Sequence, residues 1–205
     1  MMSLQVYFDL DKKFSLNVSN LIVQSFIKKY GSKVISAEGS VAARELYGDG
    51  NGGNISLVNL PYNHLIIEAQ SRTRYERIPE GKVYVYMSTD MSNVRNMKLL
   101  KEFVDDAIMV YNALKPKLGL GGIESSFEFD GTHFLRGLYV CPLMLLGPQM
   151  VKNIGTDRVM VLKGQIFEVR MLNDGGVMLR LMKIKANEPL NSGLEDAVRR
   201  ELGIK

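Results

Sequence analysis

Four stretches of this chain carry residue types able to do chemistry. The first is Gly48-Asp-Gly-Asn-Gly-Gly53, which has the G-x-G-x-x-G spacing of a dinucleotide-binding turn. Such a turn needs a strand before it and a helix after it, so that the helix N-terminus meets the pyrophosphate. Here Asn54-Ile-Ser-Leu-Val58 follows and reads as strand, which predicts a hairpin tip or loop and no cofactor cradle. Asp49, Asn51 and Asn54 also lack the spacing and terminal glutamate of a calcium loop. The second group is His64, His133 and the single cysteine, Cys141. Three such residues without H-x-x-x-H or C-x-x-C spacing predict no metal site. Cys141 and His133 could form a nucleophile–base pair. Cys141, however, sits in the apolar run Leu138–Leu146 beside Pro142, where a cysteine behaves as a small hydrophobe.

The third group is the carboxylates. Glu128 with Asp130 alternate along one strand-like segment, and Glu68 stands with Glu76. Alternate carboxylates share a strand face, as general acid–base work wants, but a solvated strand face gives the same pattern. The fourth is Ser71-Arg-Thr-Arg-Tyr-Glu-Arg77, with Lys82 nearby. Arg72, Arg74, Arg77 and Lys82 could hold phosphates while Tyr75 stacks on a base. The same residue types are enriched at protein–protein hot spots. There is no G-x-S-x-G elbow and no G-x-x-x-x-G-K-[ST] loop. No catalytic, cofactor-binding or metal-binding residue is therefore predicted. The contact residues expected for a partner or a nucleic acid are Arg72, Arg74, Tyr75, Arg77 and Lys82. If the segment binds nucleic acid, its affinity will fall steeply with salt and drop when Arg72 and Arg74 become alanine. A fluorescence-anisotropy titration across salt concentrations checks both.

These residues need elements to hold them. Leu4–Leu10 is rich in β-formers and predicts a strand. Ser15 as N-cap, Val18, Leu21, Ile22 and Phe26 at helical spacing, Lys28 and Lys29 in the last turn and Gly31 beyond predict a helix over 16–30. Residues 33–47 read as strand or helix. Strands are predicted over 54–59, 64–70 and 82–88. Met97, Leu100, Val104, Ala107, Ile108, Tyr111 and Leu114 form an apolar stripe over 96–115, stopped by Pro116. Leu118-Gly-Leu-Gly-Gly122 reads as a break and as a sub-boundary near 117–123 within one compact domain of 1–205. Strands at 124–129 and 135–140 and a short helix over 148–154 with proline near N1 follow. A hairpin over 165–184 turns at Asn173-Asp-Gly-Gly176. A last helix opens at Ser192 with capping-box spacing to Glu195. Strands neighbour strands and helices come singly. That predicts an α+β fold, a mainly antiparallel sheet with single helices packed on one face, whose two halves could share a coarse β-α-β plan.

Bulk composition narrows the function classes. The chain has 205 residues, 46% hydrophobic, enough to build a core without disulfides. Its net charge of +4 is spread among acids and not clustered as in a dedicated nucleic-acid binder. The first residues have no basic region followed by an apolar one, and no apolar run is long enough to span a bilayer. Cytoplasmic residence is the expectation by elimination. Met178 and Met182, opposite Val177, Leu179 and Leu181, make both faces of the last hairpin partly apolar. One face is expected to meet a partner or a second copy, unless the strand lies between layers.

The C-terminal half carries a further pattern. It comprises Leu114-Lys-Pro-Lys-Leu-Gly119, then Leu145-Leu-Gly-Pro-Gln-Met-Val-Lys-Asn-Ile-Gly155, Val161-Leu162, and Phe167 through Asp174-Gly-Gly-Val-Met-Leu-Arg-Leu181. Over residues 97–202 this resembles small bacterial immunity-type proteins that accompany polymorphic or type VI secretion toxins. The resemblance implies a protein that works by binding, and it carries over no catalytic residues. Three functions are thus expected in order: a non-enzymatic protein-binding module, a nucleic-acid-associated protein using 72–82, and a small-molecule binder or enzyme. In the last case a polar pocket would gather Glu68, His64 or Cys141.

Overall fold

The computed structural model describes residues 3–10, 15–35, 44–46, 53–71, 83–90, 92, 96–123, 140–181 and 192–204. In chain order its elements are β1 (Ser3–Leu10), α1 (Leu16–Tyr30), β2 (Arg44–Leu46), β3 (Gly53–Leu60), β4 (Asn63–Ser71), β5 (Val83–Asp90), α2 (Met97–Leu114), β6 (Leu118–Ile123), β7 (Leu143–Leu146), α3 (Pro148–Ile154), α4 (Thr156–Val161), β8 (Glu168–Met171), β9 (Val177–Arg180) and α5 (Ser192–Leu202). The described strands form one sheet in the order β2-β3-β4-β5-β1-β6-β7-β9-β8, with every ladder antiparallel. The predicted α+β class and antiparallel sheet are what the chain builds.

The helices divide between the two faces. Leu4, Val6, Phe8 and Leu10 of β1 alternate inward with Ile55, Leu65, Ile67, Val85 and Met87 of their neighbours and meet Ile22 and Phe26 of α1 and Phe103 and Val104 of α2. Leu118, Leu120, Met144, Leu146, Val177 and Leu179 point the other way and meet Val151 of α3, Val159 of α4 and Val198 and Leu202 of α5. Each half of the sheet therefore carries its helices on one face, and the covered face switches between halves. Near the switch, β7 and β9 are buried on both sides, since Leu143, Leu145 and Met178 face the first core. The apolar second face of the last hairpin is thus occupied within the chain, at Met178 at least. Met182 lies outside the described residues.

Local signals explain the element bounds. Ser15 Oγ accepts from the Val18 amide at 3.4 Å, and Gly31, at φ 86°, closes α1 through a 2.8 Å bond from its amide to the Ile27 carbonyl. Asn96 Oδ1 accepts from the amides of Lys98 and Leu99, both at 3.0 Å, and starts α2. Replacing Asn96 with alanine will cost about 1 kcal/mol, read as a lower urea midpoint at unchanged slope. Ser192 is the first helical residue of α5, and Glu195 accepts from Arg199 at 2.7 Å instead of closing a capping box.

The segment read as a break is a strand: β6 lies between β1 and β7. Its glycines serve close packing. A Cβ at Gly121 would stand 2.8 Å from the Gln5 carbonyl oxygen, and one at Gly119 would stand 3.0 Å from Phe8 Cδ1. Of the ambiguous 33–47, residues 44–46 are strand. The strand expected at 124–129 lies outside the described residues, as does the one expected at 135–140 except for Val140, which belongs to no strand.

Candidate functional site

Directly opposed residues of an antiparallel ladder share a face, so the register decides which side chains meet. One row runs Asn54, Glu68, Tyr86, Tyr7 across β3, β4, β5 and β1. The next runs Ser56, Ile66, Ser88, Gln5, and a third runs Gln70, Tyr84, Asp9. Continued onto β6, the first and third rows meet Leu120 and Leu118, which belong to the core beneath α3, α4 and α5. This side of the sheet therefore changes character at the border of β1 and β6. Beyond it lie leucines under helices. On β3, β4, β5 and β1 lie tyrosines, amides, hydroxyls and carboxylates, and among the described residues no helix packs on them.

The polar half is organised by its own hydrogen bonds. The Tyr7 and Tyr86 rings lie 5.6 Å apart, tilted by 33°. The Tyr86 hydroxyl donates to Glu68 Oε2 at 2.5 Å. Tyr7 donates to Gln5 Oε1 at 2.7 Å, and Gln5 Nε2 in turn donates to Ser3 Oγ at 2.6 Å. Tyr84 and Asp9 are buried, and the other polar side chains of the three rows are half-buried. Asn54 Oδ1 is a buried acceptor with no hydrogen-bond partner. Asp90 stands further along β5 on the same side, its carboxyl held below the ordinary range by the Ser92 amide at 2.8 Å. Acceptors dominate: Asp9, Glu68 and Asp90 carry carboxylates, and the described residues of β1, β3, β4 and β5 include no lysine or arginine.

Ser56 Oγ and His64 Nε2 are 2.9 Å apart on this surface. A nucleophile–base pair needs a third group to orient the base. Among the described residues no carboxylate contacts the other ring nitrogen of His64, so the pair is a strand-to-strand hydrogen bond. His64 and Glu68 lie on one side of β4, but Cys141 belongs to the other core, so these three predicted pocket residues do not come together. Burial, with Glu195 nearby, pushes the Cys141 thiol well above its usual range. Cys141 will resist a thiol reagent in the native state and react once urea unfolds the chain, which a colorimetric thiol assay reads directly. No group of three or more metal-ligating side chains occurs among the described residues.

Arg72, Arg74, Tyr75, Arg77 and Lys82 fall between β4 and β5, outside the described residues. So do His133, Glu76, Glu128, Asp130 and the Gly48–Gly52 stretch, while Gly53 opens β3.

One ionisable centre escaped the sequence reading. Asp106 of α2 has no solvent exposure. It accepts from Lys29 Nζ at 2.7 Å, from the Tyr30 hydroxyl at 3.0 Å and from the Tyr62 hydroxyl at 2.5 Å, and Glu102 stands 3.3 Å from Lys29. Burial lifts the Asp106 carboxyl, against the bonds from Lys29 and Tyr62. Partial burial works against the charge on Lys29, but Asp106 and Glu102 outweigh it and hold the ammonium protonated. Three donors converge on Asp106, which fits the ionised form. The cluster ties α1, α2 and the β3–β4 turn together. An aspartate in an amphipathic helix reads as solvated, and only the positions of Tyr30 and Tyr62 reveal otherwise.

No protein-family model matches the chain, and no curated protein matches it. Among solved structures it is similar to the Pseudomonas aeruginosa T6SS protein PA0821, with a TM-score of 0.61 at 11% identity, covering 99% of this chain and 73% of that one. At that identity the likeness is one of fold: this chain is built on the α+β fold of a T6SS protein.

Proposed function

We propose that this chain acts by binding a protein partner through the polar half of its sheet, as a toxin-neutralising immunity-type protein of a type VI secretion system. The observation that carries the reading is the tyrosine-lined, acceptor-rich surface on β3, β4, β5 and β1. Glu68 and Asp90 give this face negative charge and Asn54 Oδ1 is a buried acceptor without a partner, so the complementary surface presents lysine, arginine or amide groups. The rings of Tyr7 and Tyr86 suit a guanidinium and belong to a residue type enriched at hot spots. The fold shared with a T6SS protein and the resemblance of residues 97–202 to immunity-type proteins support the secretion setting.

The test is co-expression with candidate type VI secretion toxins, scored by growth. The native chain will restore growth. Tyr86→Ala will weaken the complex by about 2 kcal/mol, near thirtyfold in Kd, and Glu68→Lys will abolish rescue while the chain stays folded. Equal rescue by both variants, or turnover of a substrate by the purified chain alone, sinks the reading.

A further inference from the structure

At the edge of the sheet, β8 and β9 carry a chain of charges. Lys101 Nζ lies 3.0 Å from Asp105 Oδ2, and Arg170 Nη1 lies 2.6 Å from Asp105 Oδ1. Arg170 also donates to Glu168 Oε1 from Nε at 3.0 Å and Nη2 at 2.7 Å. Glu168 Oε2 then meets Arg180 Nη2 at 2.7 Å. Glu168 and Arg180 are directly opposed on β8 and β9, and Asp105 of α2 joins them through Arg170. Burial works against the charge on Asp105, yet Arg170 and Lys101 prevail and hold its carboxyl below the ordinary range. A carboxyl lowered by folding stabilises the fold above its unfolded value of 3.8 and loses that contribution as pH falls through the folded value. The stability difference between the native chain and Asp105→Asn will therefore be present at neutral pH and close below about pH 3.8, as urea titrations at several pH values will show.

Arg180 is the unbalanced end of this chain. It is 6% exposed, and its Nε and Nη1 are buried without a hydrogen-bond partner. A buried charged donor left unpaired costs more than most single interactions supply, and a native structure rarely tolerates two on one group. Glu168 cannot satisfy them, because its other oxygen is taken by Arg170. Among the described residues, three cations, Lys101, Arg170 and Arg180, face two carboxylates, Asp105 and Glu168. Counted over those residues, the cluster is short of one negative charge where the open donors stand. The Phe167 ring lies 4.2 Å from Arg180 Cζ and is itself 41% exposed, so this side of the guanidinium stands close to the surface.

We propose that Arg180 is the seat of a small oxyanion, a carboxylate or phosphate group supplied from outside the chain and bound by Nε and Nη1 beside Phe167. The anion completes the charge balance and gives both donors an acceptor in a charge-assisted bond. Phe167 acts as its aromatic wall. The arginine is needed for its number of donors, since a lysine in its place has three on one nitrogen and cannot hold Glu168 and an anion in the same planar array.

The experiment is a nitrogen-detected NMR titration of the arginine Nε–H signals in the full chain, with inorganic phosphate in one arm and acetate in the other, chloride holding ionic strength constant. A saturable shift confined to the Arg180 Nε–H signal is the expected result. Saturation with phosphate alone identifies a phosphate ligand, and saturation with acetate a carboxylate. Arg180→Lys will weaken that binding about tenfold or more, read by the rise in Tm with anion concentration, and Phe167→Ala will weaken it less. The native-chain titration needs no variant, so misfolding of Arg180→Lys leaves the test intact. An Arg180 signal that stays put in both arms, or moves equally with chloride, overturns the proposal.

Discussion

Asp106→Ala will cost about 3–5 kcal/mol of folding stability, the range for breaking a buried, hydrogen-bonded ion pair from one side. The carboxylate is wholly buried and is the shared acceptor of Lys29, Tyr30 and Tyr62. Removing it leaves a partly buried ammonium and two phenols without that acceptor. Glu102 can still receive Lys29 and Tyr30, at 3.3 and 3.2 Å, but Tyr62 is 1% exposed and would be left unpaired. Tyr62→Phe should then cost little more in the Asp106→Ala background, while in the native chain it costs the value of one hydrogen bond to a charged group, about 1.5–3 kcal/mol. Urea unfolding of the two single variants and the double variant closes the cycle. Additive losses would mean that Tyr62 and Asp106 act independently, against the geometry.

Gly176→Ala will cost about 3 kcal/mol, the upper part of the overpacking range. The hairpin turn is held by the Gly175 amide on the Leu172 carbonyl at 3.1 Å and the Leu172 amide on the Gly176 carbonyl at 2.8 Å, with Gly175 at φ 87°. A Cβ on Gly176 would overlap the Tyr111 hydroxyl and stand 2.7 Å from the Leu146 carbonyl oxygen. The hydroxyl can be removed, and the backbone cannot give way. Tyr111→Phe in the same chain should recover part of the loss, although it also gives up the 3.0 Å bond from Tyr111 to Asp174. Full recovery would show that the Leu146 carbonyl moves freely, contrary to its place in the ladder with Val177. A Tm series over the single and double variants measures this.

Much of the scaffold was legible because its signals are local. Ser15, Lys28, Lys29 and Gly31 bound α1 through its own free amides and carbonyls, and the structure places that helix over the predicted residues. The apolar stripe of α2, the proline at the start of α3 and the Asp174-Gly-Gly turn are of the same kind. Where the reading failed, the cause lay across the sheet. Gly119 and Gly121 look like a break, yet they are a strand whose missing side chains leave room for Phe8 and Val6.

The candidate binding surface was not legible at all. Tyr7, Tyr84 and Tyr86 alternate on two strands separated by more than seventy residues, and only the β1–β5 register sets Tyr7 against Tyr86. Asp106 and Arg180 sit among ordinary helical and strand residues, and nothing adjacent in sequence marks them as buried. The sequence alone determined the α+β class, the bounds of the helices with strong caps and the apolar, buried setting of Cys141. Those follow from capping, periodicity and apolar context within a few residues. Only the tertiary structure decided which sheet face is covered, which charges are buried and which donors stand unpaired. Those depend on cross-strand register and helix placement, which no single stretch of chain contains.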